Sequence, residues 1–567
     1  MASINLESLA ARFFRILFST LTLSLCVACI GCGGGSSGSG ASPSVIAFTP
    51  AVSILPGGSA SISFTAIADG PQKITLANLP DGITATPSSM TLEPGATGVF
   101  KLQASMSPAA AEFQAAGSAS GGPGTDSITK NVIIQANGAS GSTTASANVS
   151  LLVSIDNSQF MPAQTYLPVL KITTDGGAVI GADDYVTGSI EVQDPKNAQN
   201  NYTGTITIKG HGNTTWAMPK KPYTLKLDSK APLLGMPSSK SWILLANYDD
   251  KSLLRNALAF ELADRLGQVW APRSVFVEIF LNAQYEGVYE LTEKIDIAKN
   301  RLNITEMDDT DNSGKDLTGG YLLEIDVHRG EDFTWLSPGD VNYGIDDPDP
   351  ATGQQSTYIE NYVNTAEAAL YSANFTDPGT GWPAYWDADS MIQWYLDEEL
   401  MGNNDSVFWS SIYLYKDRND PRLYMGPVWD FDISAGNVNY NPIVSPTQPW
   451  LTNSFYVKRL LEDPAFKADV KTKWAAVKAT ELDTLPAWID QEAAALQQAQ
   501  QNNFQRWPIL GEYVWPNSEV ANTYPGEVTF LKSWITQRVA WMDTLYGASS
   551  GQSTAAHDPG TGTPTAH

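Results

Sequence analysis

Apolar positions change their spacing several times along the chain, and each change marks a different kind of segment. A short apolar run, Ile16 to Ile30, follows Arg12 and Arg15 and is too brief to span a bilayer comfortably. Residues 33–44 are a Gly/Ser linker. From 45 to 156 the apolar residues alternate: Ala60-Ile62-Phe64-Ala66, Gly98-Phe100-Leu102, Ile128-Val132-Ile134 and Ala147-Val149-Leu151-Val153. Pro94-Gly95 and Asp81-Gly82 punctuate them. Short strands at this spacing predict an immunoglobulin-like β-sandwich, a spacer with no visible chemistry. From 165 to 546 strands alternate with helices and then give way to helices. Leu254, Leu258, Leu262 and Leu266 form one stripe of a helix read over 251–266, capped by Asp249-Asp250. Val457 to Leu485 and Glu527 to Leu545 carry apolar residues at helical spacing. Residues 547–567 are a low-complexity tail, read as disordered.

The cysteines alter the picture at the N-terminus. Cys26, Cys29 and Cys32 all lie in or next to the first apolar run. A small residue before a cysteine, then a glycine-serine leash, resembles a bacterial lipoprotein signal. The expected acylated residue is Cys32, with Cys29 the alternative. The expectation is an exported protein, held at the cell envelope (outer membrane or cell surface) through an N-terminal lipid. Beyond residue 32 there is no sulfur for a disulfide, a thiol nucleophile or a zinc site. The histidines are His211, His328, His557 and His567, too few for multi-histidine zinc or a serine–histidine–acid triad. Catalysis is thereby pushed toward carboxylates, lysines and arginines. A formal net charge of −26 over 567 residues excludes a nucleic-acid footprint and suits hard divalent cations.

Three regions could carry chemistry. In the first, a strand ends in Gly210-His211-Gly212-Asn213-Thr214-Thr215, a loop whose N–H groups could meet an anion, although a hairpin turn has the same composition. Lys226 follows on a strand, facing away from Leu225 and Leu227. In the second, Arg255 and Glu261 lie off the leucine row of the helix, and Glu261 could pair with a strand lysine as in protein kinases. The third is the strongest. Asp405 ends a helix in a polar loop, and Asp430 and Asp432 are read as two apart at a strand end, with carboxylates pointing the same way. Together they could seat a divalent cation with open water positions. The acidic runs Asp308 to Gly314 and Asp346 to Asp349 suggest calcium-dependent carbohydrate binding or, more simply, surface turns.

Taken in order, the segments at 206–436 resemble the CotH family, named for a spore-coat protein kinase. The matching pieces are Gly212 to Trp216, Lys220-Lys221-Pro222-Tyr223, Leu244 to Tyr248, Asp250 to Asn256, Gly287-Val288-Tyr289 with Glu293, and Gly426 to Asp432. The resemblance implies an α+β atypical protein-kinase-like domain with a helical C-terminal part. Nucleotide would lie between a strand-rich and a helical lobe. It implies ATP with Mg²⁺ or Mn²⁺, and transfer to Ser or Thr of surface or secreted proteins. Asp405 would be the catalytic base, Asp430 the principal metal ligand, and Asp432 a further acid of that motif. The nucleotide side would use Asn213, Arg255, Glu261 and a strand lysine, Lys221 or Lys226. Two departures stand out: His211 replaces a frequent arginine, and Ser411 stands near an expected metal-binding asparagine. The rival expectation is a surface adhesion or scaffold protein that keeps the fold without catalysis.

Overall fold

The computed structural model describes residues 45–47, 51–54, 59–66, 71–77, 79, 83–104, 125–138, 144–156 and 162–547 except 329. Cys32, the linker and the C-terminal tail lie outside them. Among the described residues the first part is β. One sheet has the order Val45–Ala47, Ser59–Ala66, Thr97–Ala104, Ile83–Thr86. The other runs Ala51–Ile54, Thr144–Asp156, Thr125–Gly138, Gln72–Ala77, Ser89–Leu92. Ala51–Ile54 pairs parallel with Thr144–Asp156. The expected alternation is realised: Ile62, Phe64, Phe100 and Leu102 are buried, and Phe64 stacks on Phe100 at 5.3 Å.

The next part is a closed seven-stranded barrel. Its strands are β1 (Val169–Thr174), β2 (Val186–Gln193), β3 (Tyr202–Gly210), β4 (Tyr223–Leu233), β5 (Met236–Leu245), β6 (Ser274–Leu281) and β7 (Gln284–Glu293). They close in the order β1-β2-β3-β4-β5-β7-β6. All pairs are antiparallel except the seam, where β1 runs parallel to β6 with Val169 opposite Glu278. Closure leaves no free sheet edge. The interior is filled by every second residue, among them Leu170, Ile172, Ile206, Ile208, Leu225, Trp242, Leu244, Val277, Ile279 and Leu291. The β6–β7 turn has two left-handed residues, Asn282 (φ 50°) and Ala283 (φ 68°), as a tight two-residue hairpin loop requires.

Helix α1 (Arg255–Arg265) leaves the barrel between β5 and β6. It buries Leu254, Leu258, Leu262 and Leu266 as the stripe predicts. It starts four residues later than predicted, because Lys251 to Leu254 form a turn with Leu253 at φ 62°. The N-cap is Leu254, which makes no side-chain cap bond, so the expected Asp249-Asp250 cap is not formed; Asp250 instead braces the preceding turn, its Oδ2 accepting the Arg255 N–H at 2.8 Å and its Oδ1 the Ser252 N–H at 3.0 Å.

A second sheet follows, of β8 (Tyr321–Ile325), β9 (Thr334–Leu336), β10 (Asn342–Asp347), β11 (Ile412–Lys416) and β12 (Tyr424–Met425), in the order β9-β10-β8-β11-β12. Helices surround it: α2 (Gly353–Tyr371), α3 (Ala388–Met401), α4 (Phe455–Leu460), α5 (Pro464–Val477), α6 (Leu485–Ala495), α7 (Ala499–Arg506) and α8 (Tyr524–Tyr546). The C-terminal part is thus helical, with the long reading over 457–485 broken at Asp463-Pro464, the cap and first residue of α5. Among the described residues, no helix is long and apolar enough to cross a membrane.

Candidate functional site

The site begins at the end of α3. Gly402 takes the left-handed conformation (φ 55°) that stops the helix, and Asn403 then caps a short turn, Asn404–Ser406. That turn presents Asp405, whose Oδ1 accepts Asn404 Nδ2 at 2.7 Å. Across from it lies the segment after β12. Here the structure corrects the reading of a strand: 426–432 is irregular, and Asp430 itself is left-handed (φ 66°). Asp430 and Asp432 therefore do not project side by side from a pleat. Ser411 Oγ donates to Asp430 Oδ2 at 3.3 Å.

The electrostatics tie these groups together. Burial pushes the Asp430 carboxyl up to about 6; Asp405 and Asp326 push the same way, and Ser411 and His328 oppose them. Asp405 is raised by burial, and Asp326 adds to that. Asp432 is held well above the carboxylate range by burial, then by Asp249, Asp430, Asp405 and Asp250. Asp326, just past β8, accepts from Ser410 Oγ at 2.9 Å and lies 2.7 Å from His328 Nδ1. From sequence, Asp249 has only a capping role and Asp326 and His328 have no role in the site, because the three come from turns remote in the chain.

The barrel side of the site is built differently from the expectation. His211 sets its ring edge-on to Trp429 at 6.3 Å, beside Asp430, and lies 3.2 Å from Thr224 Oγ1. Asn213 is exposed and precedes a single helical turn without capping it. Lys221 donates to the Trp216 carbonyl at 2.7 Å. Lys226 and Lys209 flank the Tyr185 ring at 4.7 and 5.3 Å. Neither Lys221 nor Lys226 pairs with Glu261, which instead holds Arg265 one turn along α1 at 2.8 Å. Arg255 is also reassigned. It is 1% exposed, and its guanidinium bonds Asp250 Oδ1 at 2.5 Å and the carbonyls of Ser434 and Ala435, so it braces the site and is closed to nucleotide.

Two other lysines emerge. Lys220 is buried over Tyr289 and donates to Ala246 O (2.7 Å), Val288 O and Asn503 Oδ1 (3.0 Å). Burial takes its pKa down to about 7. It ties the barrel to α7. Lys294, just after β7, has its charge opposed by burial. Asp346, Asp296, Tyr185 and Asp347 outweigh that and raise its pKa. The Lys294 charge in turn helps to lower the His211 pKa.

Among the described residues, no three acidic, histidine or cysteine side chains are already grouped to cage a metal ion. The donors nonetheless fit a magnesium-type cation, which takes one or two carboxylates and completes its shell with water and phosphate oxygens. Asp249 Oδ1 is buried with no partner, the state a cation would relieve. The calcium-loop reading of 308–314 gives way to a braced surface turn. Asp308 accepts Thr310 N–H at 2.8 Å, and Asp311 pairs with Arg418 at 2.7 Å.

Fold and site together define a class: an α+β domain with a group of largely buried carboxylates beside a closed barrel. The CotH kinase protein family matches residues 208–542, more than half of the chain, and the chain belongs to that family. No curated protein matches the sequence. Among solved structures, PapD-like domain 7 of human CEP192 is 9% identical, with a TM-score of 0.17, covering 22% of this chain and 94% of that domain. The E. coli chaperone DraB is 8% identical, with a TM-score of 0.16, covering 26% of this chain and 92% of its own. A protein of unknown function from Porphyromonas gingivalis W83 is 9% identical, with a TM-score of 0.18, covering 44% and 98%. Likeness at this level says nothing of function.

Proposed function

We propose that the protein is a metal-dependent kinase that moves the γ-phosphoryl group of ATP onto Ser or Thr hydroxyls of surface or secreted proteins. Family membership supports kinase-like chemistry. The observation that carries the reading is the meeting of Asp405 and Asp430, from segments 25 residues apart, in one buried electrostatic field. In the transfer, the acceptor oxygen bonds to the γ-phosphorus as the bond to the ADP oxygen breaks, and the hydroxyl proton passes to Asp405. Asp405 also aims that hydroxyl, and Asn404 holds the Asp405 carboxylate in place. Asp430 and Asp432 would hold the cation, which when bound neutralises phosphate charge. Lys294 is the better candidate for a phosphate contact than Lys221 or Lys226, since those two are engaged by the Trp216 carbonyl and the Tyr185 ring. The leash after Cys32 supports action outside the cytoplasm, at the end of a lipid tether.

The test is incubation of the full chain with γ-labelled ATP and Mg²⁺ or Mn²⁺, reading label on the protein and on a generic acceptor, beside Asp430→Ala. Metal-dependent label lost in Asp430→Ala supports the reading. No label and no nucleotide-dependent rise in melting temperature sinks it, and leaves a scaffold or adhesion protein.

A further inference from the structure

Asp249 and Asp432 are brought together from remote parts of the chain, Asp249 between β5 and α1 and Asp432 beyond β12. Both are buried, at 2% and 9% exposure. Among the described residues neither is in a salt bridge, and the nearest cation, Arg255, is taken by Asp250. Asp249 Oδ1 is enclosed without a hydrogen-bond partner.

The fold fixes this pairing without neutralising it. Asn437 Nδ2 donates to both backbone carbonyls, Asp249 O at 3.1 Å and Asp432 O at 2.8 Å. Asn517 Nδ2 donates to Asp249 O at 2.7 Å and to Asn437 Oδ1 at 2.8 Å. Neutral amides thus stitch two acidic turns together, while among the described residues no basic side chain forms an ion pair with either carboxylate and Asp249 Oδ1 is left without a partner. Buried carboxylates are tolerated when paired or bound to metal. A hard divalent cation answers this arrangement, with water or phosphate oxygens filling the positions that two carboxylates leave open.

We infer that Asp249 and Asp432 form a divalent-cation site of the magnesium or manganese class, with Asp249 a ligand supplied from the barrel side. The inference rests on the kinase reading for what the cation does, and not for its presence. A cation there would clamp the turn before α1 to the segment carrying Asp430.

The experiment is calorimetric titration of the full chain with Mn²⁺, without nucleotide, for the wild type, Asp249→Asn, Asp432→Asn and the exposed-turn control Asp309→Asn. Melting curves without metal check folding. Each of the two site variants is expected to weaken Mn²⁺ binding by about ten-fold or more, with the control unchanged. Asp249→Asn should melt no lower than wild type in the absence of metal, since it removes an unpaired buried charge. Wild-type affinity in Asp249→Asn overturns the inference, as does the absence of Mn²⁺ binding to the wild type at millimolar concentration. Mn²⁺ binding lost in Asp249→Asn, in a chain that transfers no phosphate, upholds this site while rejecting the kinase reading.

Discussion

The side chain of Asn256 and the backbone of Phe431 meet in one hydrogen bond: Asn256 Oδ1 accepts the Phe431 N–H at 2.7 Å. Phe431 lies between Asp430 and Asp432, so this bond sets the segment that carries both acids. Asn256 Nδ2 in turn donates to Asn247 Oδ1 at 3.2 Å, and Asn247 Nδ2 to Glu290 Oε2 at 3.1 Å. Asn247 (φ 46°) and Asp430 (φ 66°) are both left-handed, a conformation that Asn and Asp adopt more readily than other residues with a Cβ. One buried amide links the two.

Asn256→Ala removes that link and leaves the Phe431 N–H and Asn247 Oδ1 without partners. The expected loss of stability is about 2 kcal/mol by urea titration. Asp430 is freed to relax, so Mn²⁺ affinity should fall more in Asn256→Ala than in a core variant of equal stability loss.

Lys220 and Lys226 should separate cleanly. Lys220→Met takes the ammonium donor from the Ala246 and Val288 carbonyls in the interior and leaves Asn503 Oδ1 with only the Val288 N–H, and should cost about 3 kcal/mol. Lys226→Met, at the Tyr185 rim, should change stability by less than about 0.5 kcal/mol. Equal melting temperatures for the two variants would contradict the strut assigned to Lys220.

Ser411 occupies a left-handed position, φ 59°, which asparagine adopts more readily than serine. Ser411→Asn should therefore fold at least as stably as wild type, and its amide oxygen offers a better metal ligand near Asp430. Mn²⁺ titration should show tighter binding, and a weaker affinity would count against Ser411 facing the cation.

His211 gives a pH signature. Burial first, then Lys294 and Lys209, lower its pKa from 6.5 to about 4. Between those values the unfolded chain binds a proton that the folded chain does not, so stability falls as pH drops from 6.5 to 4 and is complete above 6.5. Allowing for the partly open ring, the contribution is about 2 kcal/mol. Denaturation of wild type and His211→Asn across this window should show the wild type alone losing that increment.

What could be read from the chain depended on how local the cause was. The row Leu254, Leu258, Leu262, Leu266 and the alternation around Phe64 and Phe100 are short-range patterns, and they stand in the structure. Barrel closure could not be read, because its seam joins β1 to β6 across more than a hundred residues. Asp405 and Asp430 were visible as residues, but the left-handed backbone at Asp430 was not, and it undid the strand-end geometry. Arg255 and Glu261 carry the right side chains for a nucleotide site, yet each finds a nearer partner. Only the three-dimensional meeting of the Asp249 turn with Asn437 and Asn517 brings out Asp249.

Arg538, deep in α8, donates to the Glu399 carbonyl at the end of α3, just before the turn that presents Asp405. Asn517 secures the other acidic turn. The site is therefore finished by the last part of the domain to leave the ribosome, with contacts that close loops of 139 and 268 residues. Such contacts are slow to form and come late in folding. A growing chain stalled before residue 517 would hold a barrel and a sheet but lack the amide that secures the Asp249 turn, so the acidic group is assembled only after the barrel and the sheet have been made.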